Sequence, residues 1–148
     1  MKKNILFVCG SKGIGLETVN LLEGKHNLYV TSRSKDNLEG KDITHFTFDV
    51  LEDNISDIDL PDQLDGLVFC PGSINLKPFK MLKPSAFEDD INLNFMSLVK
   101  VTHHLLDKLK ASDQASIVYF STVAVQTGMP FHTSVAATKG AIEGFARS

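Results

Sequence analysis

Three glycines and one arginine offer the first chemistry. Gly10, Gly13 and Gly15 fall in Gly10-Ser11-Lys12-Gly13-Ile14-Gly15, between the apolar run Ile5 to Cys9 and a stretch with Leu16, Val19 and Leu22 at helical spacing. Glycine at such a strand-to-helix turn lets the chain bend tightly and lets a pyrophosphate approach the backbone. The helix N-terminus then supplies free N–H groups and the positive end of its dipole. A glycine triplet alone also fits a tight turn that holds nothing; its place between a strand and a helix favours a dinucleotide. The end of the next apolar run reads Val30-Thr31-Ser32-Arg33-Ser34. A carboxylate is expected there when the ribose carries a free diol. Ser32 and Arg33 instead suit a 2′-phosphate, through charge-assisted hydrogen bonds. The residues therefore imply NADP, with NADPH preferred over NADH.

The elements that must position these residues follow from the hydrophobic pattern. Apolar runs over 5–9, 27–32, 44–50, 67–70 and 116–121 read as strands, the fourth stopped by Pro71-Gly72. From Phe87 to Lys110 the residues Ile91, Phe95, Leu98, Val101, Leu105 and Leu109 recur every three or four positions, which predicts one long amphipathic helix after Pro84-Ser85. A last helix starts near Ser134. Strands alternating with helices predict an α/β fold, a doubly wound parallel sheet of Rossmann type with helices on both faces, as one NAD(P)-binding domain over residues 1–148. Ligands of such sheets bind at the carboxyl ends of the strands. Cys9 and Cys70 follow strands that this order makes neighbours, so both border the cofactor cleft. Phe79, Phe87 and Phe95 read as core, and His103-His104 as solvent-side residues of the long helix.

Composition narrows the function classes. The chain has 148 residues, 43% hydrophobic and 22% charged, with a formal net charge of −3. It is neither a disordered tail nor a polybasic nucleic-acid binder. No apolar run is long enough to span a bilayer, and none reads as a signal-peptide core. Two cysteines make no disulfide framework, and without clustered histidines they complete no metal site. The expectation is a cytoplasmic protein that binds neither metal, nucleic acid nor membrane. The last residues, Ala141 to Ser148, are helical in pattern without a terminator, which predicts a chain cut short of its C-terminal strands and helices.

In this order the residues resemble the short-chain dehydrogenase/reductase family. Cys9 to Gly15 resembles its glycine-rich turn, and Phe48-Asp49-Val50 its adenine-contacting Asp-Val pair. Phe69-Cys70-Pro71-Gly72 falls where the family has Asn-Asn-Ala-Gly. Asp90-Ile91-Asn92-Leu93 resembles the segment with the catalytic asparagine, and Tyr119 to Ala124 the strand end with the catalytic serine. Val135-Ala136-Ala137-Thr138-Lys139 resembles the Tyr-x-x-x-Lys helix. The resemblance implies hydride transfer between a nicotinamide and a small-molecule carbonyl or alcohol. It assigns catalysis to Asn92, Thr122 and Lys139. It places Ser11, Lys12, Gly13, Ile14, Asp49, Val50, Cys70, Pro71, Gly72 and Lys139 on the cofactor. It also implies a homodimer or homotetramer, through the long helix and the last one, whose Ala136, Gly140 and Gly144 form a stripe of small residues.

Two departures bear on chemistry. Either Cys9 stands at the first glycine of the turn, or Gly10 fills that role in a turn one residue shorter. Val135 stands where the family has its proton-donating tyrosine, and valine transfers no proton. His132, Thr133, Ser134 or a water held by Lys139 are the substitutes. The rival expectation is a nucleotide-binding or scaffold protein that performs no catalysis.

Overall fold

In the computed structural model, residues 1–148 are described, the side chain of Asp36 excepted. Five parallel strands form one sheet: β1 (Asn4–Val8), β2 (Asn27–Ser32), β3 (Thr44–Thr47), β4 (Gly66–Phe69) and β5 (Ser116–Tyr119), in the spatial order β3-β2-β1-β4-β5. The helices are α1 (Gly13–Leu22), α2 (Pro84–Ile91), α3 (Ser97–Lys110), the short α4 (Ala124–Thr127) and α5 (Thr133–Arg147). This is the Rossmann-type arrangement that the alternating pattern predicts.

The central strands are hydrophobic because both faces are covered. Leu6, Phe7 and Val8 of β1 and Leu67 of β4 are fully buried. On one face, Phe7, Leu28, Val30 and Val68 pack with Val19 of α1. On the other, Leu6, Val8, Leu67 and Phe69 meet Leu98, Val101, Leu105 and Leu109 of α3 and Ile142 of α5. The apolar stripe of α3 is thus explained by burial at three- and four-residue spacing. Its last turn carries Lys108 and Lys110, which suits the negative end of the dipole.

The long helix is not regular. Pro84 opens α2 at its first turn. Residues Asn92–Met96 then form a π-helical turn, and α3 continues from Ser97. The extra residue in the wide turn rotates the buried face. Before it, the buried residue of α2 is Asp90; within it, Asn94. Ile91 and Phe95, the apolar positions of the sequence pattern, are only half-buried. Phe79 corrects the expected core: it is 68% exposed and meets Phe87 edge-on at 6.2 Å. Short, partly polar β3 and β5 end at Thr47 and Tyr119, earlier than the apolar runs suggest, because pairing stops there.

Candidate functional site

The sheet order reverses between β1 and β4, and a cleft of about 410 Å³ opens at the carboxyl ends of the strands there. Four of the five strands contribute to it: Cys9, Ser11 and Lys12 after β1, Ser32 at the end of β2 with Arg33 and Ser34 after it, Asp49 and Val50 after β3, and Cys70, Pro71 and Gly72 after β4. The sequence-derived cofactor residues are therefore gathered from four separate chain segments into one place.

The glycine turn is built by close approach. The Gly10 N–H donates to the Thr31 carbonyl at 3.0 Å, and the Cys9 N–H to the Thr31 hydroxyl at 3.1 Å. A Cβ at Gly10 would lie 2.8 Å from Phe7 Cβ and 2.9 Å from Val30 Cγ1. One at Gly15 would lie 2.9 Å from Cys70 Sγ and 3.1 Å from Gly10 Cα, so glycine lets α1 start close against the residue that follows β4. The backbone also decides between the two readings of the turn. Cys9 has φ +58°, the left-handed region that favours glycine, and Gly10 does not. Cys9 stands at a glycine-type position. Ile14 is 65% exposed on the outer side of α1 and takes no part in lining the cleft.

At the end of β2 the two expected phosphate ligands both line the cleft but differ in exposure. Arg33 is exposed and lines the cleft. Ser32 is 2% exposed, and its hydroxyl turns inward, donating to the Ser34 carbonyl at 2.5 Å and meeting His45 Nε2 at 2.8 Å. Ser32 still lines the cleft beside Arg33, with its hydroxyl hydrogen held by the Ser34 carbonyl. Asp49 forms a closed turn, its Oδ1 accepting from the Leu51 N–H at 3.0 Å. Both thiols face the cleft without pairing. Burial pushes Cys9 up to about 11, with the Asp49 carboxylate adding to the effect and Arg33 opposing it. Burial, then the neighbouring Cys9, pushes Cys70 up to about 12. Both remain neutral thiols near pH 7.

Gly72 joins this cleft to a polar cluster. A Cβ on Gly72 would sit 3.3 Å from Asn94 Oδ1 and 3.7 Å from Lys139 Nζ, so the amide oxygen and the ammonium border the same small niche. Asn94 is fully buried in the π-helical turn. Its Oδ1 accepts from the Ser73 N–H at 3.1 Å, and its Nδ2 donates to Ser73 Oγ at 2.9 Å and to the Asp90 carbonyl at 2.8 Å. Lys139 is 9% exposed and makes no hydrogen bond or ion pair among the described residues. Burial lowers its pKa from the usual lysine value.

Asn92 is not in this cluster. It is exposed and lines a neighbouring cleft with Asn75, Asp89 and Lys100. The asparagine beside the lysine is Asn94, which the sequence reading missed. Asn92-Leu93 mimics the motif two residues early, and the π-helical turn carries residue 94 inward instead. Thr122 is half-buried after β5, and its Oγ1 accepts from the Ala124 N–H at 3.3 Å, leaving its hydrogen for another acceptor. Val135 is 4% exposed. Among the substitutes for a tyrosine, Ser134 is fully buried and donates to Asp90 at 2.5 Å, and His132 Nδ1 meets the Pro130 carbonyl at 2.7 Å. Tyr119 is held by Thr102 at 2.7 Å on the α3 side, and its pKa is raised by burial.

With this geometry in place, the comparison with known proteins is decisive on lineage. The family model described as short chain dehydrogenase matches residues 3–148. The chain belongs to the short-chain dehydrogenase family. Its curated relatives in this family include the Dehydrogenase/reductase SDR family protein 7-like of Dictyostelium discoideum, 34% identical over 88 residues, which are 58% of this chain and 28% of that protein. Another is the Hydroxysteroid 11-beta-dehydrogenase 1-like protein A of Xenopus laevis, 46% identical over 55 residues, 37% of this chain and 19% of that one. The matches thus span less than a third of these relatives. Among solved structures, a short chain dehydrogenase from Shigella flexneri superposes with a TM-score of 0.85 at 23% identity, over 97% of this chain and 64% of its own. ElxO with NADP bound gives 0.82 at 22% identity, over 98% and 65%. These two likenesses establish the fold.

Proposed function

We propose that this short-chain dehydrogenase is an NADP(H)-dependent oxidoreductase that interconverts a carbonyl and an alcohol, with Lys139 in charge of the proton. The observation that carries this reading is Lys139 itself. The residue is 9% exposed and its ammonium has no partner among the described residues, but the nitrogen is not sealed from solvent, so it is available to a group that enters the cleft. It borders the niche at Gly72, where the cleft ends.

The residues present fit a dinucleotide. Ser11, Lys12, Arg33 and Asp49 line one cleft, to which Lys12 and Arg33 bring positive charge. Ser11, Lys12 and the first turn of α1 would hold the diphosphate, Arg33 the 2′-phosphate, and Asp49 and Val50 the adenine side. When bound, the nicotinamide supplies or accepts the hydride. Thr122 donates its hydroxyl hydrogen to the substrate oxygen. Lys139 holds the proton that this oxygen gains in the reducing direction, passing it directly or through a water that donates to Asn94 Oδ1. Burial favours this role, because it moves the lysine toward working pH. Valine at 135 leaves no phenol between Lys139 and the substrate.

The same valine supports a second reading, a nucleotide-binding protein without turnover. A panel of ketones with NADPH separates the two. Turnover that falls by ~10² or more in Lys139→Met is expected for the enzyme. NADPH binding without turnover on any substrate favours the second reading. The small-residue stripe of α5 is also available for assembly, since Gly144 has open space around it. A homodimer through α3 and α5 is the expected state, and light scattering that gives a clean monomer contradicts it.

A further inference from the structure

A buried carboxylate lies beside this site, and the chemistry above does not use it. Asp90 is 1% exposed on α2. Its Oδ1 accepts from Ser73 Oγ at 2.5 Å and Asn75 Nδ2 at 2.9 Å, and its Oδ2 from Ser134 Oγ at 2.5 Å. No cation pairs with it among the described residues. Three neutral donors stand in for the lost water, which is how a buried carboxylate is tolerated. They come from two places: the loop after β4 and the first turn of α5, the helix that carries Lys139.

Counting hydrogens gives the network a direction. An ionised carboxylate only accepts, so Ser73 must give its one hydroxyl hydrogen to Asp90. Ser73 Oγ is then free to accept from Asn94 Nδ2. The other Nδ2 hydrogen goes to the Asp90 carbonyl. Both amide hydrogens are consumed, and Oδ1 is left for the Ser73 N–H and the niche at Gly72. The reverse orientation would set an NH₂ group against the Ser73 N–H and beside the lysine ammonium, donor against donor.

We propose that Asp90 is a positioning residue for Lys139. Through Ser73 it fixes Asn94 with the amide oxygen toward the lysine, and through Ser134 it docks the first turn of the lysine's own helix. Its effect on turnover rests on the function proposed above; its effect on Asn94 does not. The sequence gives no hint of this, because a lone aspartate before an amphipathic run reads as a solvated helix residue.

The test uses the intact ¹⁵N-labelled protein and the variants Asp90→Ala, Asp90→Asn and Ser73→Ala. In the parent, the Asn94 side-chain amide hydrogens should exchange ~100-fold more slowly than a free amide, and in Asp90→Ala and Ser73→Ala this protection should be lost. Where turnover is measured, kcat should fall by ~10-fold or more in both, with KM for NADPH within about twofold, since the misplaced groups are at the proton-transfer end. Asp90→Asn keeps an oxygen for Ser73 and should recover most of the lost kcat. Should Asp90→Ala fail to fold, Ser73→Ala removes a single hydroxyl and carries the same comparison. Unchanged Asn94 protection in a folded variant overturns the proposal. So does a KM that rises as far as kcat falls. A parent protein without turnover overturns the proposed function alone, since amide exchange still decides the role of Asp90.

Discussion

Cysteine is a costly residue to hold at φ +58°. Replacing Cys9 by glycine should stabilise the fold by about 1 kcal/mol, the usual strain of a side chain in the left-handed region less the entropy glycine gains on unfolding. Urea unfolding measures it, and the same variant should bind NADPH more tightly, because Cys9 lines the cleft. Lys139 makes the opposite trade. Its pKa is lowered by burial, so between that lowered value and the usual 10.5 the unfolded chain binds a proton that the folded one releases. Stability of the parent should therefore rise with pH through that window. Lys139→Met should remove the slope and be the more stable protein at pH 7, while losing turnover. Arg33 and the glycines were legible because they directly follow strand ends, and Lys139 and Thr122 through the resemblance to the family's motifs. Asn94 was not. It is turned inward by one extra residue of helix.

The π-helical turn at Asn92–Met96 shows what periodicity can and cannot report about an element. Apolar spacing continues across it, so the sequence reads as one helix; the wide turn is visible only where the buried face becomes polar at Asp90, Asn94 and Ser97. Such turns recur at functional sites, and here the turn delivers the asparagine to the lysine. A second junction joins the sheet to α3. Asp65 accepts from the Asn4 N–H at 2.8 Å, from Ser112 Oγ at 2.7 Å and from Gln63 Nε2 at 2.9 Å. Ser112, then Asn4 and Gln63, hold its pKa down at about 2, below the usual 3.8. A depressed carboxylate contributes stability above its unfolded value and loses it as pH falls toward the folded one. Asp65→Asn should therefore melt below the parent at pH 5, and the gap should close as pH falls from about 4 to 2. A gap that stays constant with pH would show that the hydrogen bonds, not the charge, matter there. The ends of β3 and β5 were read too long for a related reason: the apolar run outlasts the pairing that makes a strand.

At the scale of the whole molecule the legible part was the topology. Alternating strands and helices leave few arrangements, and the order β3-β2-β1-β4-β5 places the reversal between β1 and β4, where the glycine turn, Arg33 and Gly72 converge on one cleft. Among the described residues no helix is long and apolar enough to cross a membrane. The proposed activity depends on that cleft accepting a phosphorylated dinucleotide. Calorimetric titration of the protein with NADPH and with NADH tests it most directly. Saturable binding is expected, tighter for NADPH by about tenfold or more, the worth of one charge-assisted contact. Arg33→Ala should erase that preference. No binding of either dinucleotide, or a preference untouched by Arg33→Ala, would contradict the account.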